Sequence, residues 1–245
     1  MKKPVWTVKN IGDLTGKVII VTGANSGLGF EATKIFASKG ATIIMACRSI
    51  ERANEAKNAI VLRQETAKLD VMKLDLGNLK NINDFVLEYK SKYSKLDILL
   101  NNAGIMTVPY GKTDDGFELQ NGVNHLGHFA LTAQLFDLIK ETQDSRIVNV
   151  SSIAHKSAKI DLEDYLYETT KYSKFKSYGR SKLSNLLFTY ELDRRVKAKG
   201  INVKVLAAHP GVASTDLGRY IGSAKWAQPL MKLILKVLPS AYHGS

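Results

Sequence analysis

Tyr178 and Lys182 have the residue types and the spacing to move a proton. They stand four positions apart in a long helical pattern, so both side chains leave the same helix face. A tyrosine normally ionises near pH ~10. A neighbouring ammonium, or a cationic cofactor ring, stabilises the phenolate and lowers that value. Such a phenol exchanges a proton with a carbonyl or alcohol oxygen near neutrality. Ser152 follows a strand-like run and is able to hydrogen-bond the same oxygen. Alone, a tyrosine and a lysine at this spacing describe an ordinary helix surface, so the other motifs must decide.

The strongest of these is a glycine-rich turn. Val18-Ile19-Ile20-Val21 is an all-apolar run without alternation, which suits a parallel strand buried on both faces. It enters Thr22-Gly23-Ala24-Asn25-Ser26-Gly27-Leu28-Gly29, and a helical pattern follows. Gly23 permits the turn, Gly27 lets backbone approach a phosphate, and Gly29 lets the helix pack close to the strand. The helix N-terminus then offers N–H groups and a positive dipole end to a pyrophosphate. A three-glycine match by itself also describes a plain strand–turn–helix corner.

Further along, strand-like and helical segments alternate. Strands are expected at Ala41–Ala46, Leu69–Leu74, Leu96–Leu100, Arg146–Val150 and Ile201–Ala207, with long helices over about Phe117–Lys140 and Tyr178–Lys199. This alternation predicts an α/β fold, a doubly wound parallel sheet with both faces covered. Ligands of such sheets bind beyond the carboxyl ends of the strands. Arg48, Asp75, Asn102, Ser152 and Pro210-Gly211 all fall there. The stretch Ile153–Phe175 is polar, tyrosine-rich and without a period.

Composition narrows the partners. The 245 residues carry a net charge of +12 with pI near 9.6, which raises nucleic acid or an anionic membrane surface. The basic residues are scattered lysines without an arginine-rich tract, so a solvated surface is the expectation and no nucleic-acid partner is expected. The single Cys47 excludes an internal disulfide and any multi-cysteine metal site, and is expected to pack at a strand end. His125, His128 and His209 have no metal-ligand spacing and are expected to pack or bond locally. With no signal-like start and no apolar run of roughly 18–20 residues, no membrane span is expected, and the protein is expected to be cytoplasmic.

Together these motifs resemble the short-chain dehydrogenase/reductase family, Rossmann-fold oxidoreductases that use NAD(P). Thr22–Gly29 is similar to its Thr-Gly-x-x-x-Gly-x-Gly turn, Asn101–Gly104 to its Asn-Asn-Ala-Gly element, and Tyr178–Lys182 to its Tyr-x-x-x-Lys. Pro210-Gly211 with Thr215 is similar to the element after the sixth strand. Asn124–Phe129 and Ala46-Cys47-Arg48 are nearest to the retinol dehydrogenase and protochlorophyllide reductase-like branch. The resemblance implies a catalytic set of Asn124, Ser152, Tyr178 and Lys182. In that set Tyr178 is the acid in reduction and the base in oxidation, and Ser152 orients the substrate oxygen. Lys182 binds the nicotinamide ribose and lowers the tyrosine pKa, while Asn124 bends its helix and holds a water. Ser152 is preferred to Ser151 by alignment with the family's serine. The interval from Ser152 to Tyr178 is longer than in many members, so an insertion must be accommodated.

The implied cofactor contacts are Gly23, Asn25, Ser26, Gly27, Leu28, Gly29, Arg48, Asp75, Leu76, Asn102, Ala103, Gly104, Tyr178, Lys182, Pro210, Gly211, Val212 and Thr215. NAD-specific relatives of this fold place a carboxylate after the second strand. Here Cys47-Arg48 offers none, and Arg48 supplies a guanidinium that pairs with a 2′-phosphate. NADP(H) is therefore the preferred cofactor, with NAD(H) possible. The expected reaction interconverts an apolar aldehyde or ketone and its alcohol. The rival reading is a non-catalytic dinucleotide-sensing or nucleic-acid-associated protein, which would not need Tyr178 and Lys182 together. Pairing through the two long helices into a homo-oligomer is implied by the family alone. The chain is read as one domain over 1–245, with 212–245 a helical substrate-side segment. That segment shows no convincing strand, so the expectation is a six-stranded sheet lacking the family's seventh strand, in a chain truncated or unusually short.

Overall fold

The computed structural model describes residues 7–210. Six strands form one sheet: β1 (Val18–Thr22), β2 (Thr42–Cys47), β3 (Lys68–Lys73), β4 (Ile98–Asn101), β5 (Ser145–Val150) and β6 (Val203–Ala208). Their order is β3-β2-β1-β4-β5-β6, and every pairing is parallel. The chain direction across the sheet reverses between β1 and β4, the crevice where such folds bind nucleotides.

The crossover helices are α1 (Gly27–Ser38), α2 (Ile50–Val61), α3 (Leu79–Lys92), α4 (Leu119–Asn121), α5 (Gly127–Glu141) and α6 (Lys174–Ala198). Alternate strand residues face opposite layers. Ile20, Ile44 and Met72 pack with Phe85, Tyr89, Leu131 and Leu135 of α3 and α5. Ile19, Val21, Ile43 and Met45 pack with Ala37, Ala53 and Ala56 of α1 and α2. Both strand faces are therefore dry, which is why β1 and β2 read as continuous apolar runs. Cys47 is buried at the end of β2, and burial pushes its thiol up to about 11.

The expected doubly wound parallel sheet is the observed one, with boundaries shifted by a few residues. The helix expected over Phe117–Lys140 is not continuous. α4 passes into a π-helical turn, Gly122–Leu126, before α5 begins. A π turn inserts an extra residue and offsets the main-chain ladder. Here the Asn124 side chain is drawn out to the β4–α4 connection, donating to Ile105 O at 2.9 Å and accepting from Ile105 N at 2.8 Å. α6 begins four residues earlier than its pattern, because the Ser173 side chain caps it at Lys176 N. Gly211, Val212, Thr215, the 212–245 segment and the question of a seventh strand lie outside the described residues. No helix among the described residues is long and apolar enough to cross a membrane.

Gly127 closes the π turn against the β3–α3 loop. A Cβ there would strike the Leu76 carbonyl oxygen and lie 2.9 Å from Leu76 Cβ. Gly127→Ala is expected to cost roughly 1–3 kcal/mol, the usual scale for overpacking a tight contact. Urea denaturation of the variant beside the parent measures it, and an unchanged midpoint would show that the loop yields freely.

Candidate active site

At the end of β1 the Thr22 hydroxyl organises three segments. It accepts from Asn102 N and Ala103 N, both at 2.9 Å, and lies 2.9 Å from His128 Nε2. Two N–H donors occupy its lone pairs, and of the two acceptors in reach, Leu100 O at 3.4 Å and His128 Nε2 at 2.9 Å, the nearer ring nitrogen takes its proton. The other ring nitrogen, Nδ1, then carries hydrogen and donates to Asn124 O at 3.0 Å. One neutral tautomer satisfies both bonds. Burial pulls the His128 pKa down to about 3, so the ring is neutral at physiological pH. His128 packs and bonds locally as expected, through Asn124 O, and in addition joins the glycine turn to the π turn through Thr22. The sequence motif contained it, but only this bond count reveals its task.

The glycine turn itself has the shape of an anion cradle. Gly23 adopts φ +68°, open to glycine and strained for other residues. A Cβ on Gly29 would strike Gly23 O and lie 2.6 Å from Asn102 Nδ2. Ser49, Asn78 and Ser173 cap α2, α3 and α6 with side-chain bonds, whereas Ser26 leaves the first turn of α1 uncapped and no acidic residue lies in that turn. Those N–H groups, with Asn25, Ser26, Gly27 and Leu28 around them, fit a dinucleotide pyrophosphate. Arg48 is exposed beyond β2 and makes no ion pair or hydrogen bond among the described residues. Asp75 turns back on its own loop, accepting from Gly77 N at 2.9 Å, and Leu76 is buried beneath it.

Across the switch point, Asn102-Ala103-Gly104 leads to the tyrosine and lysine. A Cβ on Gly104 would lie 3.2 Å from Asn124 Oδ1 and 3.5 Å from Lys182 Nζ. Lys182 is buried and donates to Val150 O at 3.0 Å. With no carboxylate among the described residues to offset it, burial pulls the ammonium down to about 8. Burial pushes the Tyr178 phenol above its ordinary value, and a side-chain hydrogen bond with Ser152 opposes that. The lysine ammonium sits 5.8 Å from the tyrosine ring centre. In this geometry desolvation is the larger influence on the phenol.

The two adjacent serines diverge. Ser151 donates to the Lys182 carbonyl at 2.8 Å, while Ser152 caps the turn Ile153–Ser157 and interacts with Tyr178. Gly179 allows that turn to come close, since a Cβ there would sit 3.0 Å from Ala154 O. Asn124 reaches the same helix through Ser181 Oγ at 3.0 Å, and Ser181 in turn donates to Tyr178 O at 2.8 Å. The Asn124 carbonyl accepts from His128 Nδ1 and from Asn185 Nδ2 at 3.1 Å. Both of its lone pairs are thus engaged by side chains. Ser181 and Asn185 were not singled out in the sequence, because a serine and an asparagine on a helix carry no signal without their partners. Pro210 closes the described chain after β6.

A model of the short chain dehydrogenase family matches residues 17–226. The chain belongs to that family. It is 46% identical over 211 residues to Retinol dehydrogenase 13 of Homo sapiens, covering 85% of this chain and 62% of that protein. It is 44% identical over 235 residues to Retinol dehydrogenase 14 of Mus musculus, covering 91% and 69%. The chain therefore spans about two thirds of the length of these curated relatives. A crystal structure of an uncharacterized protein from Mycobacterium Paratuberculosis superposes with a TM-score of 0.77 at 42% identity, over 88% of this chain and 75% of that one. A short chain dehydrogenase from Shigella flexneri, complexed with NADP, shares the fold at 20% identity with a TM-score of 0.72, covering 95% and 89%.

The buried imidazole of this short-chain dehydrogenase makes a pH prediction. A His128 pKa of about 3 in the fold, against an ordinary 6.5, means that the unfolded chain binds the extra proton between those values. Its contribution to stability is complete above the unfolded value and is lost as pH falls toward the folded one. The loss approaches about 1.4 kcal/mol per pH unit within that window. Denaturation of the parent at pH 7 and pH 5 is expected to show a larger drop than His128→Asn, and equal drops would refute the neutral bridge.

Proposed function

We propose that the protein is an NADP(H)-preferring oxidoreductase that interconverts an apolar aldehyde or ketone, retinal-like in character, with its alcohol. The observation that carries this reading is the approach of Gly104 to both Asn124 and Lys182, which sets the segment after β4 against two members of the expected catalytic set. The retinol dehydrogenase names of the most similar curated relatives support the substrate class.

When bound, the nicotinamide cofactor supplies or accepts the hydride. The chain's own residues position and protonate. The uncapped first turn of α1 receives the pyrophosphate, and Asn102, Ala103 and Gly104 flank the adenosine half. Asp75 and Leu76 border the adenine. Ser152 donates to the substrate oxygen and orients it toward Tyr178. Tyr178 Oη delivers the proton in reduction and takes it back in oxidation. Lys182 holds the nicotinamide ribose, and its ammonium stabilises the phenolate left on Tyr178. Asn124 acts behind them, fixing Ser181 and the backbone of α6. The exposed guanidinium of Arg48, beside a strand end without a carboxylate, supports NADP(H) over NAD(H).

Tyr178→Phe is expected to abolish aldehyde reduction while NADPH binding, followed by fluorescence, stays close to the parent. Turnover within a few-fold of the parent would sink the assignment. Arg48→Ala is expected to weaken NADPH about tenfold or more, the scale of one lost charged contact, and to leave NADH nearly unchanged. Equal losses for the two cofactors in steady-state kinetics would remove Arg48 from the 2′-phosphate.

A further inference from the structure

The proton-transfer helix carries a buried charge that the proposed reaction does not use. Arg180 lies between Tyr178 and Lys182 and is 7% exposed. It has no carboxylate partner among the described residues. Its Nη1 instead donates to two main-chain carbonyls, Asp164 O and Tyr165 O, each at 2.7 Å. The guanidinium carbon stands 4.2 Å from the Tyr167 ring centre and 5.8 Å from that of Tyr165. Its Nε is buried without an acceptor. Burying a guanidinium on neutral partners alone is costly, and the carbonyls and ring faces offset that cost only while the 158–173 loop stays folded against it.

That loop lies in the long interval between Ser152 and Tyr178, and it is braced where it meets Arg180. The Asp164 carboxylate accepts from Glu168 N, Thr169 N, Thr170 N and Thr170 Oγ1. The Tyr165 hydroxyl pairs with Ser184 Oγ at 2.7 Å, a second bolt onto α6. From Tyr167 the rings continue to Tyr172 at 5.4 Å and to Tyr110 at 5.2 Å. Tyr172 also donates to Val108 O at 3.0 Å and accepts from Gln120 Nε2 at 2.8 Å. A single run of contacts thus spans from α6 to the β4–α4 connection. Both segments stand at the carboxyl edge of the sheet, where the substrate of such a fold lies.

We propose that Arg180 is a positioning residue that locks the 158–173 loop to α6, from where Tyr167 and Tyr172 carry the brace to the β4–α4 connection, and so fixes the wall against which substrate binds. The proposal rests on the oxidoreductase reading for the word substrate, and on the contacts above for the lock. Arg180 lies about 200° around the helix from Tyr178, so its loss acts on the wall and not on the proton donor.

The test joins hydrogen exchange to kinetics. In Arg180→Met, amides of 161–172 are expected to exchange faster than in the parent, while those of β1 and α1 are unchanged. With NADPH and all-trans-retinal, KM is expected to rise about tenfold while kcat stays within about threefold, the pattern of lost uniform binding. Tyr167→Leu should reproduce both effects and Tyr167→Phe should restore the parent values. This pair also decides the matter if Arg180→Met does not fold. Unchanged exchange over 161–172, or a fall in kcat with KM constant, would overturn the proposal. A parent protein that reduces no aldehyde would sink the oxidoreductase reading, while the exchange comparison would still decide whether Arg180 holds the loop.

Discussion

The hydroxyl of Thr22 is the constraint on which the site depends. It ends β1, receives the two N–H groups that follow β4, and passes its proton to an imidazole on α5. Those three elements meet where the strand order reverses, so a shift in any of them breaks a buried hydrogen bond. Leaving a buried polar group unpaired costs on the order of 1–3 kcal/mol, far more than a surface bond is worth. The Asn124 carbonyl can only accept, and that leaves the neutral imidazole one tautomer. Cradle and π turn are therefore held in one geometry by single atoms.

A second line of buried polar groups reinforces the same edge. Asn101 Nδ2 donates to Asn149 Oδ1 at 2.8 Å and to Thr132 Oγ1 at 3.0 Å, and Asn149 Nδ2 donates to Thr189 Oγ1 at 3.0 Å. β4, β5, α5 and α6 are stitched together just below the tyrosine and lysine. Glu118 does similar work in front of them, accepting from Gln120 N, Asn121 N, Asn121 Nδ2 and Ser177 Oγ. Ser177 precedes Tyr178, so the start of α6 is fixed by a carboxylate from another element. Such networks specify a unique arrangement through their satisfied members; Asn101 Oδ1 and Asn121 Oδ1 are the two buried oxygens here without a hydrogen-bond partner among the described residues.

The sheet was legible because its physics is local. Runs such as Val18–Val21 and Thr42–Met45 have no polar face, and only a strand covered on both sides tolerates that. The glycine turn, Asn102–Gly104 and Tyr178–Lys182 were legible as spacings. What the sequence did not disclose depends on pairs far apart in the chain. The π turn needs Asn124 to meet Ile105, and its disguise as a plain helix comes from apolar residues that keep a helical period on both sides of it. Cys47 could be placed from a strand end alone, and Ser152 from a strand end together with the family resemblance. Arg180 could not, since a lone arginine inside a helix reads as surface until the loop that covers it is known. His128 likewise needs Thr22, over a hundred positions away, before its role has meaning.

The electrostatics of the site follow from the same burial. Desolvation acts on Lys182 and on Tyr178 in opposite directions along the pH axis, yet in each case it penalises the charged form. A lone phenolate or a lone ammonium in this pocket is therefore unfavourable. In the proposed reaction the two charges appear together, because the proton that leaves Tyr178 creates an anion close to the lysine. Their attraction is weakly screened in a site that excludes water, so it offsets part of the penalty that each bears alone. Val150 O holds the ammonium at rest without neutralising it. A carboxylate in that position would bind the lysine more tightly and would cancel the charge the phenolate needs. The absence of an acidic partner for Lys182 among the described residues is thus what leaves its charge available to the tyrosine.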